Sequence, residues 1–169
     1  SMGAFALALI YDRRGDSKRA DAVIERLGAY VQAADNAFAS EMVEAFTVEL
    51  ALRRGNLGAA RRKRIGIDFD SRLPIWYFYL PQLTPIKLLL AEGTPEALGV
   101  ARAALDEFEE RMRRMNRNLA RMDGLALLAL VCHAQGDSDC ADANLTQALR
   151  LALSAGLVRP FVDLWPPMA

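Results

Sequence analysis

The chain carries few residues with the makings of chemistry, and each stands where a helix or a turn has its own use for it. His133 is the one histidine and directly follows Cys132. A nucleophile and its base must converge, whereas adjacent helical residues point about 100° apart, and the sequence places no carboxylate to orient the imidazole. A packed or groove-facing histidine is therefore expected. Asp68 and Asp70, in the stretch Asp68-Phe69-Asp70-Ser71, offer paired carboxylates for a metal. Catalytic pairs of that type usually end a buried strand; here the stretch lies between helices, so the carboxylates read as caps in a loop. Cys132 and Cys140 flank a turn and form neither a disulfide framework nor a zinc pattern. Enzyme chemistry is not supported, and the sequence calls for no metal or cofactor.

Charged and aromatic clusters are the next candidates for contact with a partner. Arg61-Arg62-Lys63-Arg64, with Arg53 and Arg54 before it, would suit DNA phosphates or an acidic protein. A helix spreads such a run around its axis, and 21 basic residues balance 21 acidic ones, so a solvated face is the better reading. Arg113, Arg114, Arg117 and Arg121 read the same way, with Glu109 and Glu110 available as helical partners. Trp76, Tyr77, Phe78 and Tyr79 form the densest aromatic cluster. At most two can face inward, either packing or offering a ring on which a sugar or aromatic effector stacks.

The elements that position these residues are helical hairpins. Leu127 to Leu151 is the clearest: an apolar helical run ends at Gly136, an Asp-Ser-Asp turn follows, and a second helix opens with Ala141, Leu145, Ala148 and Leu149 on one face. The signature recurs at Gly15-Asp16 with Ala20, Gly55-Asn56 with Ala60, and Gly93-Thr94 with Ala97, at glycine-to-glycine steps of 40, 38 and 43 residues. A recurring hairpin at such a step is the mark of a helical solenoid. Hairpins are expected at about 4–34, 37–66, 76–115 and 117–155, with an apolar, proline-rich strap at 157–169. Gly66 and Pro74 bracket the one clear interruption. Pro81 and Pro85 predict a kink, or a helix start delayed to about Leu80. The charged second half of the helix after Thr94, EFEERMRRMNR, is expected to protrude into water. The longest apolar run, Leu125 to Cys132, is far short of the roughly 20 residues of a membrane span, and no basic segment precedes the apolar opening. A cytoplasmic location is expected. Ser1-Met2-Gly3 and the ending after Pro166-Pro167 read as the edges of a piece cut from a longer protein.

A Gly-Asp turn with Ala five residues after the Gly resembles the tetratricopeptide repeat, whose period is about 34 residues. Two stretches narrow the resemblance: LTPIKLLLAEGTPEAL at 83–98 and ALVCHAQGDSDCADANLTQALRLALSAGLVRPFVDLWPPMA at 129–169 are similar to the tetratricopeptide-like, MalT-like sensor region of large bacterial LuxR-type regulators. The ending Gly156, Arg159, Phe161, Val162, Asp163, Pro166, Pro167 and Met168 is its best motif. The resemblance implies an all-α right-handed superhelix of about four hairpins, with an ATPase module and a LuxR-type DNA-binding domain elsewhere in the parent chain. The 169 residues contain neither a Gly-Lys-Ser/Thr loop nor a DNA-reading helix, so no direct nucleic-acid contact is expected of them.

The inner-helix positions of the resembling repeat would line a concave groove with Phe5, Leu9, Asp12, Arg13, Met42, Glu49, Leu52, Arg53, Leu80, Leu83, Lys87, Asp123, Leu130 and His133. The apolar members read equally well as core. The expected site is Glu49, Arg53, Lys87 and His133 as polar contacts, with Trp76 or Tyr79 as a stacking platform. The resulting expectation is an effector-sensing or partner-binding module of a LuxR-type regulator, taking a small ligand or a peptide in the groove. Its rival is a protein-interaction or oligomerisation scaffold without a small ligand. The uncovered apolar helix at Ala4 to Ile10 also predicts weak self-association.

Overall fold

Among the described residues, six left-handed residues each lead from one helix into the next. The computed structural model describes residues 2–63 and 79–156, and within them the backbone turns to positive φ at Gly15, Gly55, Gly93 and Gly136, between 67° and 79°, before a following helix. Asp35 (48°) and Asn116 (54°) occupy the same place at two further turns. The next residue then caps the new helix. Asp16, Asn36, Asn56, Thr94 and Asp137 each accept a backbone N–H three residues on, which satisfies a donor the helix itself leaves orphaned. At five turns the N–H of the capping position also bonds back across the turn: Asp16 to Tyr11, Asn36 to Val31, Asn56 to Ala51, Arg117 to Met112 and Asp137 to Cys132. These are closed Schellman turns.

Between the turns run α1 (Met2–Arg13), α2 (Ser17–Ala33), α3 (Ala37–Arg53), α4 (Leu57–Arg61), α5 (Thr84–Glu92), α6 (Pro95–Arg114), α7 (Asn118–Ala134) and α8 (Ser138–Ala155). The described residues are all-helical, with no strand among them. Successive helices pack on each other, and α1, α3, α5 and α7 also touch in series. That is the pattern of stacked helical hairpins.

The apolar residues gather in two main clusters. One joins Phe5 and Leu9 of α1, Ile24 of α2, and Met42, Phe46 and Leu50 of α3 with Tyr79. The other joins Leu83 and Ile86 with Leu98, Leu105 and Phe108 of α6 and Leu127, Val131 and Cys132 of α7. Several expected groove residues, namely Phe5, Leu9, Met42, Leu80 and Leu83, are thus core. Arg54, just past α3, donates to Asp12 of α1 at 2.7 Å and to Asp21 of α2 at 2.8 Å.

One expectation about a helix needs correction. The second half of α6 does not protrude: Phe108 and Met112 are 1% and 4% exposed in the core shared with α7, and only the outer face is charged. Apolar residues at i and i+4 outweigh the charge around them. Phe108 also packs close to Gly124 of α7, where an added Cβ would stand 2.9 Å from Phe108 Cδ1. At Pro81 and Pro85 the delayed start expected at about Leu80 is found, since Tyr79 and Leu80 precede the first helical turn. Pro81 opens a short 3-10 turn, Pro81–Leu83, and Pro85 sits in the first turn of α5, where a missing N–H has no helical partner to lose.

The cysteines are the second correction. Cys132, near the end of α7, and Cys140, in the first turn of α8, form a disulfide with Cα atoms 5.8 Å apart. The closed turn lays the two helices side by side, so positions eight residues apart face each other. Among the described residues no helix is long and apolar enough to cross a membrane. The strap at 157–169, the Asp68/Asp70 loop and Trp76 lie outside the described residues.

Candidate functional site

Glu49 is one of the few charged side chains this fold takes out of water. It sits on α3 between Phe46 and Leu50, with 2% of its surface exposed. A carboxylate so placed survives only if donors replace its water. Its Oε1 accepts from Arg53 Nε at 3.0 Å, one turn along α3, and from Lys87 Nζ on α5 at 2.8 Å. Its Oε2 accepts from Thr84 Oγ1 at 3.2 Å. Thr84 and Lys87 lie three residues apart, so one face of α5 presents both. The hydroxyls of Thr84 and Tyr79 are 3.0 Å apart. Because Thr84 spends its only proton on Glu49, Tyr79 donates to Thr84, and a relay of donors runs from Tyr79 through Thr84 to the carboxylate.

The electrostatics follow from this arrangement. Burial pushes the Glu49 carboxyl up, but the charges and hydrogen bonds of Lys87 and Arg53 outweigh it, and the group rests below its ordinary value. Burial, reinforced by the Glu49 charge, holds the Tyr79 phenol well above its ordinary value, so it stays a donor. The side chains of Arg53 and Lys87 remain 22% and 24% exposed. Two cations therefore share one carboxylate, leaving one positive charge in excess at the surface. Arg53 engages Glu49 through Nε alone.

Four of the six expected site residues, Glu49, Arg53, Lys87 and Tyr79, are brought together. Tyr79 is not an open platform. It is 4% exposed, its ring meets Phe46 edge-on at 5.1 Å and Phe5 at 6.4 Å, and its role is that of core and donor. His133 is exposed near the end of α7, and no described contact joins it to the cluster. Thr84 was missed, although its spacing from Lys87 signalled a shared face. Over its described residues 61–63 the basic run is a solvated face: Arg61 reaches Glu92 at 3.3 Å and Lys63 reaches Glu44 at 3.8 Å. Arg121 pairs with Glu109 at 2.6 Å, and Arg114 with Glu110 at 3.6 Å. A shallow open depression beside the start of α3 is lined by Phe38, Glu41 and Glu44.

Hairpins turned at a left-handed Gly followed by an Asp, Asn or Thr cap, with their first helices stacked in series, are what a tetratricopeptide-like array requires, and a family model described as the MalT-like TPR region matches residues 2–169. The chain belongs to that family. Neither the curated proteins nor the solved structures gave a match. A MalT-like TPR region is a helical sensing or interaction module of a regulator, and repeats of this type are generally non-catalytic. In this MalT-like TPR region the Glu49 network lies where the two hydrophobic clusters meet, with Glu49 and Arg53 on the α3 side and Thr84 and Lys87 on the α5 side. Chemically it presents donors and positive charge at a junction between helices. The hydroxyl held by its carboxylate, that of Thr84, is fully buried.

Proposed function

We propose that this MalT-like TPR region is the effector-sensing module of a LuxR-type transcriptional regulator, and that its effector engages the junction formed by Glu49, Arg53 and Lys87. One observation carries the proposal: a buried carboxylate shared by two partly exposed cations spans the meeting of two hydrophobic clusters. A ligand that draws Lys87 or Arg53 toward itself weakens their hold on Glu49, and one that adds to the network strengthens it. Either shifts the packing of α3 on α5 in proportion to its preference for one arrangement. The ATPase and DNA-binding domains of the parent chain, working in the cytoplasm, would read that shift.

Thermal stabilisation by a library of small metabolites tests this, since a ligand at 100 times its dissociation constant adds about 2.7 kcal/mol. A stabilising metabolite should lose its effect on the Arg53→Ala/Lys87→Ala double variant. Unchanged affinity for the double variant would remove the junction from the site.

The scaffold reading has its own support. Leu145, Leu149 and Leu153 are 41%, 42% and 78% exposed and recur every four residues along α8, a stripe suited to a partner's apolar surface. Leu7 and Ile10 of α1 are exposed as well. Concentration-dependent light scattering decides whether these surfaces bind a second copy; a strict monomer at high concentration would leave only other proteins as partners.

A further inference from the structure

The two sulfurs of the Cys132–Cys140 bond live in different surroundings. Cys132 is fully buried in the apolar cluster of α6 and α7. Cys140 is half-buried at the third position of α8, behind the N-cap Asp137, where the helix presents the positive end of its dipole. Its Sγ also receives Arg102 Nη2 and Asn144 Nδ2, each at 3.4 Å. Arg102 reaches across from α6 and is fixed there, because its Nη1 donates to Gln135 Oε1 at 3.1 Å and to Asp137 Oδ2 at 3.2 Å in the turn itself. A guanidinium, an amide and a helix N-terminus thus converge on one sulfur. Such surroundings turn a cysteine into a reactive thiolate, whereas an apolar site keeps its partner a thiol.

We propose that Cys140 is a redox-modification site, with Cys132 as its buried resolving partner and Arg102 as the residue that positions and activates it. None of the three belongs to the Glu49 network, so the inference stands apart from the effector site.

The chemistry is asymmetric. In the opening direction the thiolate of a dithiol reductant attacks the accessible Sγ of Cys140. The intramolecular S–S bond breaks, and its electron pair leaves on Cys132, which takes a proton from water. The second thiol of the reductant then attacks the mixed disulfide and releases Cys140 as a thiolate beside Arg102. In the closing direction that thiolate attacks a hydroperoxide. The O–O bond breaks, the alkoxide or hydroxide leaves and is protonated, and Cys140 becomes a sulfenic acid. The Cys132 thiol gives up its proton, attacks Sγ of Cys140 and expels water. Two thiols and one hydroperoxide become one disulfide, one alcohol or water, and one further water. Closing the bond ties α7 to α8; opening it leaves α8 held by its packing, chiefly through Ala148 against Leu125 and Ala126.

The test reads the two cysteines separately. The protein is reduced with dithiothreitol, desalted, and pulsed with iodoacetamide from pH 5 to 9, and mass spectrometry then assigns alkylation to each cysteine. Cys140 should react first, along a pH profile centred at least one unit below the free-thiol value of about 8.5, while Cys132 stays protected until the protein is unfolded. Arg102→Met should slow Cys140 alkylation at pH 7 several-fold, and Arg102→Lys should restore most of the rate. A Cys132→Ser variant exposed to hydrogen peroxide should stop at a dimedone-reactive sulfenic acid on Cys140, whereas the parent protein re-forms the disulfide. Equal alkylation of both cysteines, a profile at the free-thiol value, or no dimedone adduct would each overturn the proposal. The wild-type profile decides even if the Arg102 variants fold poorly, and it separates a reactive pair from an inert structural bond.

Discussion

Replacing Lys87 by Met keeps most of the side chain's volume and removes one of the two cations from a carboxylate that is 2% exposed. Stripping a buried ion of its partner costs about 3–5 kcal/mol when nothing replaces it. Arg53 and Thr84 remain on Glu49 here, so the expected loss lies at or below the bottom of that range, about 2–3 kcal/mol. For a chain of this size that lowers the melting temperature by about 5–10 °C. Glu49→Gln keeps the shape but discards the charge and turns one of two accepting oxygens into a donor, and should cost about 1–3 kcal/mol. Once Glu49 is neutral, Lys87 has little left to hold. The double variant should therefore cost less than the two singles together, with a coupling of about 1–2 kcal/mol. The same network makes stability depend on pH. The folded-state pKa of Glu49 is depressed, so the unfolded chain binds the proton more readily. Its contribution is complete above the ordinary carboxylate value and fades as pH falls through that value toward the folded one. Urea titrations of the four proteins of the cycle between pH 3 and 7 measure both effects. Additive costs, or an acid dependence unchanged in Glu49→Gln, would refute the reasoning that the carboxylate is held by charge.

Two further predictions concern packing and turns. Gly124→Ala drives a methyl to within 2.9 Å of Phe108 Cδ1 and should destabilise by about 1–3 kcal/mol in thermal unfolding; a neutral outcome would show that the Phe108 ring moves freely. Gly136→Ala forces a side chain onto a φ of 79° and should cost about 1 kcal/mol or more, whereas Asn116→Gly, at a φ of 54°, relieves strain and should leave the melting temperature unchanged or slightly raised.

The hairpins were legible in the sequence because the residues that start and stop helices act locally. Gly15, Gly55, Gly93 and Gly136 announce left-handed turns, and the polar residue after each announces a cap. Asp35 and Asn116 make the same turn, and the expected breaks between hairpins fall on them because Asp and Asn are the non-glycine residues that tolerate it best. The site was legible only as a set of residue types. Reading Glu49, Arg53 and Lys87 as groove contacts assigned each to a ligand, whereas the structure shows them holding one another. Thr84 reaches Glu49 across 35 residues of sequence and ties Tyr79 to it, a separation that no local pattern spans. The disulfide escaped for a related reason. A spacing of eight residues means nothing until the turn between them is known to be closed.

The buried carboxylate also gives the stack a detent. Two greasy helices can slide by a full turn, about 5.4 Å, and find nearly the same apolar contacts, so hydrophobic faces alone align α3 and α5 poorly. Glu49 admits only the alignment in which Thr84 and Lys87 both reach it. A slip of one turn would strand its charge away from both, at a cost of several kcal/mol. The two halves of the molecule are thus held in one register, and anything that loosens the carboxylate releases a discrete step instead of a gradual bend.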